Sequence, residues 1–161
     1  MNSFRIGSGE DIHLLVPERK LILAGVEIPF ELGLLGHSDA DCVLHAIADS
    51  LLGALALGDI GVYFPVNDKK WDNADSKVIL KTVYQMVKDK GYVLSNIDVL
   101  ISCERPHLNP YREKMRESIA TLLESDITQV GLQLMTNEGL DAVGQGKAIR
   151  ASATCLLERI D

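Results

Sequence analysis

The sequence predicts an α+β domain built on a mixed four-stranded sheet with helices on one face. Three observations carry this. Apolar residues recur at helical spacing in three separate stretches, period-two alternation marks strands at both ends of the chain, and strands and helices follow one another in mixed order. With 161 residues, 47% of them hydrophobic, the chain suffices for one core, so residues 1–161 are read as a single domain. Aromatics make up only 5%, so that core is aliphatic.

Residues 3–13 read as a strand, and 19–30 as a second with a turn near Gly25. Residues 32–41 read as a loop leading into a helix over about 39–56, capped by Ser38 or Asp39. That helix has an apolar stripe of Val43, Leu44, Ile47, Ala48, Leu51 and Leu55. After a connector at 58–65, a second helix over about 74–89 turns Val78, Ile79, Val83, Met86 and Val87 inward. Residues 96–104 alternate as a strand. Asn109 and Pro110 then read as an N-cap with proline at the first helical position, opening a helix with Met115, Ile119 and Leu122 at core spacing. "DITQVGLQLMT" is a further strand and 137–147 a glycine-rich loop. The clearest strand is 148–157, with Ile149, Ala151, Ala153, Cys155 and Leu157 on one face and Arg150, Ser152 and Thr154 on the other. The outer face of the sheet, small and polar, must meet solvent or another subunit.

A net charge of -7 argues against a nucleic-acid-binding surface, which needs a basic face. It leaves anionic small molecules open, because metal ions and backbone N–H groups bind phosphate on acidic proteins. No apolar run approaches the roughly 18 residues of a membrane span, and "MNSFRIGSG" lacks the features of a signal peptide. Cys42, Cys103 and Cys155 are widely spaced and odd in number, so they read as buried thiols rather than a disulfide frame. A cytoplasmic location and no membrane partner are expected.

The chemistry concentrates in the histidines. Asp11 and His13, two apart on a strand, point to one face. On the first helix, Asp41, His45 and Asp49 are spaced by four and form a polar stripe. A strand offering Asp11 and His13 and a helix offering His45 together supply three ligands. Two histidines and a carboxylate suit an open catalytic Zn²⁺ site, and the same set holds iron(II). The alternative is a local pair of Asp11 with His13, and His45 bonded to Asp41 or Asp49. His37 and Ser38 stand before the helix, where a free N-terminus favours anions. "MTNEGL" places a hydroxyl, an amide and a carboxylate at a strand end, where backbone N–H groups can cradle phosphate and Glu138 can hold Mg²⁺.

Taken together, "RIGSGEDIH", "LLGHSDADCVLHAIADSLLGALALGDIG", "FP", "ADS", "GYVLSNIDV" and "TNEGL" followed by "GQG" resemble the 2-C-methyl-D-erythritol 2,4-cyclodiphosphate synthase family in order and spacing. The resemblance covers essentially the whole chain, and 34–61 is its most specific part. It implies a homotrimer whose sheets line a central cavity and whose active sites lie between subunits. The implied reaction turns a cytidine-diphosphate methylerythritol 2-phosphate into the cyclic diphosphate and CMP, in the non-mevalonate isoprenoid pathway. By the same resemblance, Asp11, His13 and His45 are zinc ligands, and Glu138 holds a second ion, Mg²⁺ or Mn²⁺. His37 and Ser38 stand near the reacting phosphates, and Thr136 stabilises the transition state. Asp59, Ile60, Gly61, Phe64 and Asp68 fall at the methylerythritol side. Cys103, Pro106, His107, Leu108 and Asn109 fall in the loop that receives cytidine. Met135, Asn137, Ala142 and Gln145 complete the substrate-contact positions.

The chain also departs from the family pattern. Asn137 stands for a second threonine, Gly139 to Ala142 for Lys-Leu-Gly-Phe, His107 for a lysine and Val66 for an acidic residue. Gln145 and Ala142 replace an arginine and a phenylalanine that in some members hold an isoprenoid diphosphate in the central cavity, so weak or absent binding of such ligands is expected. By the resemblance, Glu10 falls at a position that faces this cavity, where an apolar residue is common in the family.

Overall fold

The computed structural model describes residues 3–160. Its backbone is β1 (Phe4–Pro17), β2 (Leu21–Leu23), β3 (Val26–Ile28), β4 (Leu32–Leu34), α1 (Cys42–Ala54), α2 (Ile60–Tyr63), α3 (Ser76–Asp89), β5 (Tyr92–Ser102), α4 (Arg112–Leu122), β6 (Val130–Met135), α5 (Asp141–Gly144) and β7 (Ala148–Arg159). The main sheet has five strands rather than four, in the order β4-β1-β7-β5-β6. The extra strand is β4, within a stretch expected to be loop. Three residues are too short to show a period, and pairing with β1 through Leu15↔Leu34 makes them a strand. The sheet is mixed: β7 runs antiparallel to β1 and β5, while β5 and β6 are parallel.

Helix α1 differs from the amphipathic helix expected. Cys42, Val43, Leu44, Ala46, Ile47, Ala48, Leu51 and Leu52 are all buried, because it lies between β1 and β7 on one side and α3 on the other. A helix apolar nearly all round belongs in a core. On α3 the inward face is Ile79, Leu80, Val83, Tyr84 and Val87; Val78 is exposed, one step off the buried stripe. Asn109 opens a short 3₁₀ turn, Asn109–Tyr111, and α4 follows it. No helix among the described residues is long and apolar enough to cross a membrane.

The cap of α1 is Asp41, not Ser38 or Asp39. Its side chain accepts from Val43 N and Leu44 N, both at 3.1 Å, and from Ala24 N and Gly25 N at 3.0 and 2.6 Å. Ala24 and Gly25 form the two-residue turn of the β2–β3 hairpin, with φ of 56° and 75°. Left-handed backbone at both turn positions is the usual solution for a two-residue hairpin, and it is strained for an alanine. One buried carboxylate therefore ties that turn to the helix. Asp41→Ala is expected to lose on the order of 3 kcal/mol, a cap plus two buried donors left unpaired. A urea melt measures it.

The outer face of the sheet is less polar than expected. Ser8, Glu10, Ser152 and Thr154 lie there, but so do exposed Ile6, Ile12 and Leu14 on β1. Glu10 pairs with Arg150 of β7 across this face.

Candidate metal centre and flanking clefts

Strand β1 and helix α1 meet so that Asp11, His13 and His45 converge. Asp11 Oδ2 lies 2.9 Å from His13 Nε2 and 3.1 Å from His45 Nδ1. One candidate ligand atom from each residue lies within 4.8 Å of the other two. Tetrahedral ligands at zinc bond lengths of ~2.0–2.1 Å stand about 3.3 Å apart; the two distances from Asp11 are a little shorter than that and the third lies within 4.8 Å, so the donor set fits a metal after small adjustment.

His13 Nδ1 is 2.7 Å from the Leu35 carbonyl oxygen. A carbonyl only accepts, so Nδ1 carries a hydrogen, and whenever the ring is neutral Nε2 has its lone pair free for an ion. Burial pushes the Asp11 carboxyl up, but its hydrogen bonds with His13 and His45 outweigh that and hold it at about 2. The contact with Asp11 in turn raises His13.

The trio opens into a cleft of about 410 Å³, within the usual range for small ligands. His37, Ser38, Asp59, Ile60, Gly61 and Phe64, all singled out above, line it. Residues singled out for no role there also line it: Gly36, Asp49, Val66, Trp71, Asp72 and Ile79. Asp49 accepts from Ile60 N at 2.8 Å and so anchors α2 at the rim; burial raises its carboxyl. Trp71 meets Phe64 edge-on, with centroids 4.6 Å apart. Being the chain's single tryptophan was the only signal it offered. Asp68 is not among the lining residues; it accepts from Lys70 N and caps a 3₁₀ turn.

A second, smaller cleft of about 110 Å³ gathers Cys103, Pro106, His107, Leu108, Asn109, Met135 and Thr136. No residue lines both clefts. They sit at the same end of the sheet, because Asp11 pairs with Ala151, Ala151 with Ile101 and Ile101 with Leu134. Three strand spacings separate them, about 14 Å. Burial pushes the Cys103 thiol up to about 12, so it is no nucleophile. Asn137 N donates to Glu104 at 2.7 Å, tying the two loops of this cleft together.

A family model described as the YgbB family matches residues 4–158. The chain belongs to that family. A relative from Nostoc punctiforme named 2-C-methyl-D-erythritol 2,4-cyclodiphosphate synthase is 52% identical over 157 residues, 98% of each chain. Among solved structures, the bifunctional IspDF from Campylobacter jejuni matches with a TM-score of 0.94 at 35% identity; the match covers 98% of this chain and 43% of that one. A Plasmodium falciparum IspF in complex with CDP matches with a TM-score of 0.88 at 34% identity, over 100% and 99% of the two chains.

The remaining positions singled out in this YgbB-family chain lie outside both clefts. Glu138 is exposed in the loop after β6, with φ of 54°, and does not join the trio. Ala142, on α5, lines a cleft with Glu10 and Arg150, and Gln145 follows that helix. Ser76 was missed, although its Oγ lies 2.8 Å from His45 Nε2. Its place within "ADS" was the only signal.

Proposed function

We infer that this chain converts 4-diphosphocytidyl-2-C-methyl-D-erythritol 2-phosphate into 2-C-methyl-D-erythritol 2,4-cyclodiphosphate and CMP, in the non-mevalonate isoprenoid pathway. The observation that carries this is the Asp11, His13 and His45 trio opening on a cleft, in a chain half-identical to named synthases. The reaction is an intramolecular phosphoryl transfer of the cyclising phosphorus–oxygen lyase class. An oxygen of the 2-phosphate attacks the β-phosphorus, the bond from β-phosphorus to the bridging oxygen breaks, and CMP leaves with that oxygen. The nucleophile belongs to the substrate, so no activated serine or cysteine is required.

The obstacle is an anion attacking an anion, and positioning with charge neutralisation overcomes it. Asp11, His13 and His45 would hold Zn²⁺ and Glu138 would hold Mg²⁺ or Mn²⁺, ions that neutralise phosphate charge and polarise the bond under attack. One carboxylate suffices for the second ion, since Mg²⁺ commonly binds through one or two carboxylates plus substrate phosphates. Asp59, Ile60 and Gly61 would take the sugar hydroxyls against Phe64. His37 and Ser38 would orient the phosphates. Cys103, Pro106, His107, Leu108, Asn109 and Met135 would receive cytidine, with Thr136 donating to developing charge. Asp68, Asn137, Ala142 and Gln145 are peripheral in this reading.

The chain works as a homotrimer in this reading, with the metal cleft of one subunit beside the cytidine cleft of the next. The exposed Ile6, Ile12 and Leu14 support it, because large apolar side chains left uncovered on a sheet face favour burial against another subunit. Phosphorus NMR of the purified chain with the cytidine-diphospho substrate tests the reaction. Cyclic diphosphate and CMP should form, and chelator should stop both. Linear products point to a phosphoesterase on the same ligand set. Unchanged substrate points to a non-catalytic module. Light scattering of the same preparation should give three times the monomer mass.

A further inference from the structure

The His45 ring is held from both sides. Its Nδ1 faces Asp11, and its Nε2 lies 2.8 Å from the hydroxyl of buried Ser76 at the start of α3. Ser76 Oγ makes a short hydrogen bond to Asp39 Oδ1, and Ser76 N donates to Asp39 Oδ2 at 3.0 Å. The direction of each bond follows by elimination. A carboxylate only accepts, so the Ser76 hydroxyl hydrogen points to Asp39. The hydroxyl then has only lone pairs left for His45, so Nε2 carries the ring hydrogen. Of the two ring nitrogens, Nδ1 beside Asp11 is therefore the one whose lone pair an ion would take, and the metal-bound ring would be the neutral Nε2–H form. Ser38 Oγ stands farther off, 3.4 Å from the same Nε2, so the 2.8 Å contact with Ser76 is the stronger one.

We propose that Ser76 and Asp39 are positioning residues of the metal centre, whose relay to His45 fixes the ring tautomer and sets the affinity for the ion. The proposal rests on the metal-centre reading above. A backbone carbonyl orders His13; His45 is ordered by a carboxylate acting through a hydroxyl. The carboxylate polarises the hydroxyl, which polarises the ring N–H, and Nδ1 becomes a stronger donor. The relay also ties the start of α3 to α1.

The test compares wild type, Ser76→Ala and His45→Ala by zinc competition against a chromophoric chelator, and by nitrogen-15 NMR of the zinc-loaded imidazoles. Neither readout depends on turnover. Ser76→Ala keeps the Ser76 backbone bond to Asp39, so metal-free melting should match wild type. Its zinc affinity should fall about 10–100-fold, the range for loss of an outer partner. The wild-type spectrum should show His45 as the Nε2–H form with a slowly exchanging proton, and Ser76→Ala should broaden that proton by exchange with solvent. Unchanged affinity and an unchanged Nε2–H signal in Ser76→Ala, with zinc bound by wild type and lost by His45→Ala, overturn this inference alone. A wild type that binds no zinc, or a His45→Ala variant that binds like wild type, overturns the metal-centre reading and this inference with it.

Discussion

Replacing His45 with alanine is expected to remove bound zinc and turnover together while leaving the fold in place. His45 supplies the one donor that comes from α1, and without it Asp11 and His13 are a two-ligand site on one strand. Metal affinity should fall by more than about 100-fold, the upper end of what losing a mere outer partner costs. Charge stabilisation by an ion is worth several kcal/mol, so activity should fall about 10³-fold or more. The fold has less to lose. The ring is 8% exposed at a cleft wall, not deep in the apolar core, and alanine is the better helix former. Thermal unfolding of the metal-free variant should stay within a few degrees of wild type, roughly the effect of 1 kcal/mol in a domain this size. Metal analysis by mass spectrometry beside the turnover assay checks the result. Full activity with His45 gone would mean that the reacting phosphates are neutralised elsewhere.

The residues of the trio were legible in the sequence, but their meeting was not. Asp11 and His13 share a strand face by the period of two, and His45 interrupts an apolar helix. What brings helix to strand is the pair Gly7 and Gly9, whose role depends on what lies over them. The alpha cap was legible as a type and not as a position: Ser38, Asp39 and Asp41 are all competent, and the hairpin turn at Ala24 and Gly25 selects Asp41. Strand β4 was hidden because three residues carry no period; only its partner β1 defines it. Ser76 lies 31 residues from His45, and nothing local announces a contact at that separation. The apolar outer face was misjudged from β7, which is small and polar there, whereas β1 brings Ile6, Ile12 and Leu14.

Gly9→Val is expected to unfold the chain or leave it metal-free, and Gly9→Ala to show the same effect in milder form. A Cβ built at Gly9 would stand 2.3 Å from the Ala46 carbonyl oxygen and 2.8 Å from both Ser50 N and Asp49 Cβ. At Gly7 it would stand 2.0 Å from the Ser50 carbonyl oxygen and 2.5 Å from Ala54 N. These neighbours are mostly helix backbone, which cannot swing aside like a side-chain tip. The helix therefore rests directly on the strand, running opposite to it, and the two repeats match. Two strand residues advance about 6.6 Å and four helix residues about 6 Å. That match takes Gly7 to Ser50 and Ala54, Gly9 to Ala46 and Ser50, and Asp11 to His45. A methyl group at Gly9 must lift α1 off β1 by an ångström or so, at a cost of about 1–3 kcal/mol by analogy with overpacked cores. The same lift stretches the 3.1 Å contact between Asp11 and His45, next along the register. Stability and metal affinity should thus fall together in Gly9→Ala, whereas Ser76→Ala should lower affinity alone. Thermal melts paired with zinc competition separate the two. A Gly9→Ala variant with native stability and native affinity would show that α1 is not seated by the glycine surface of β1.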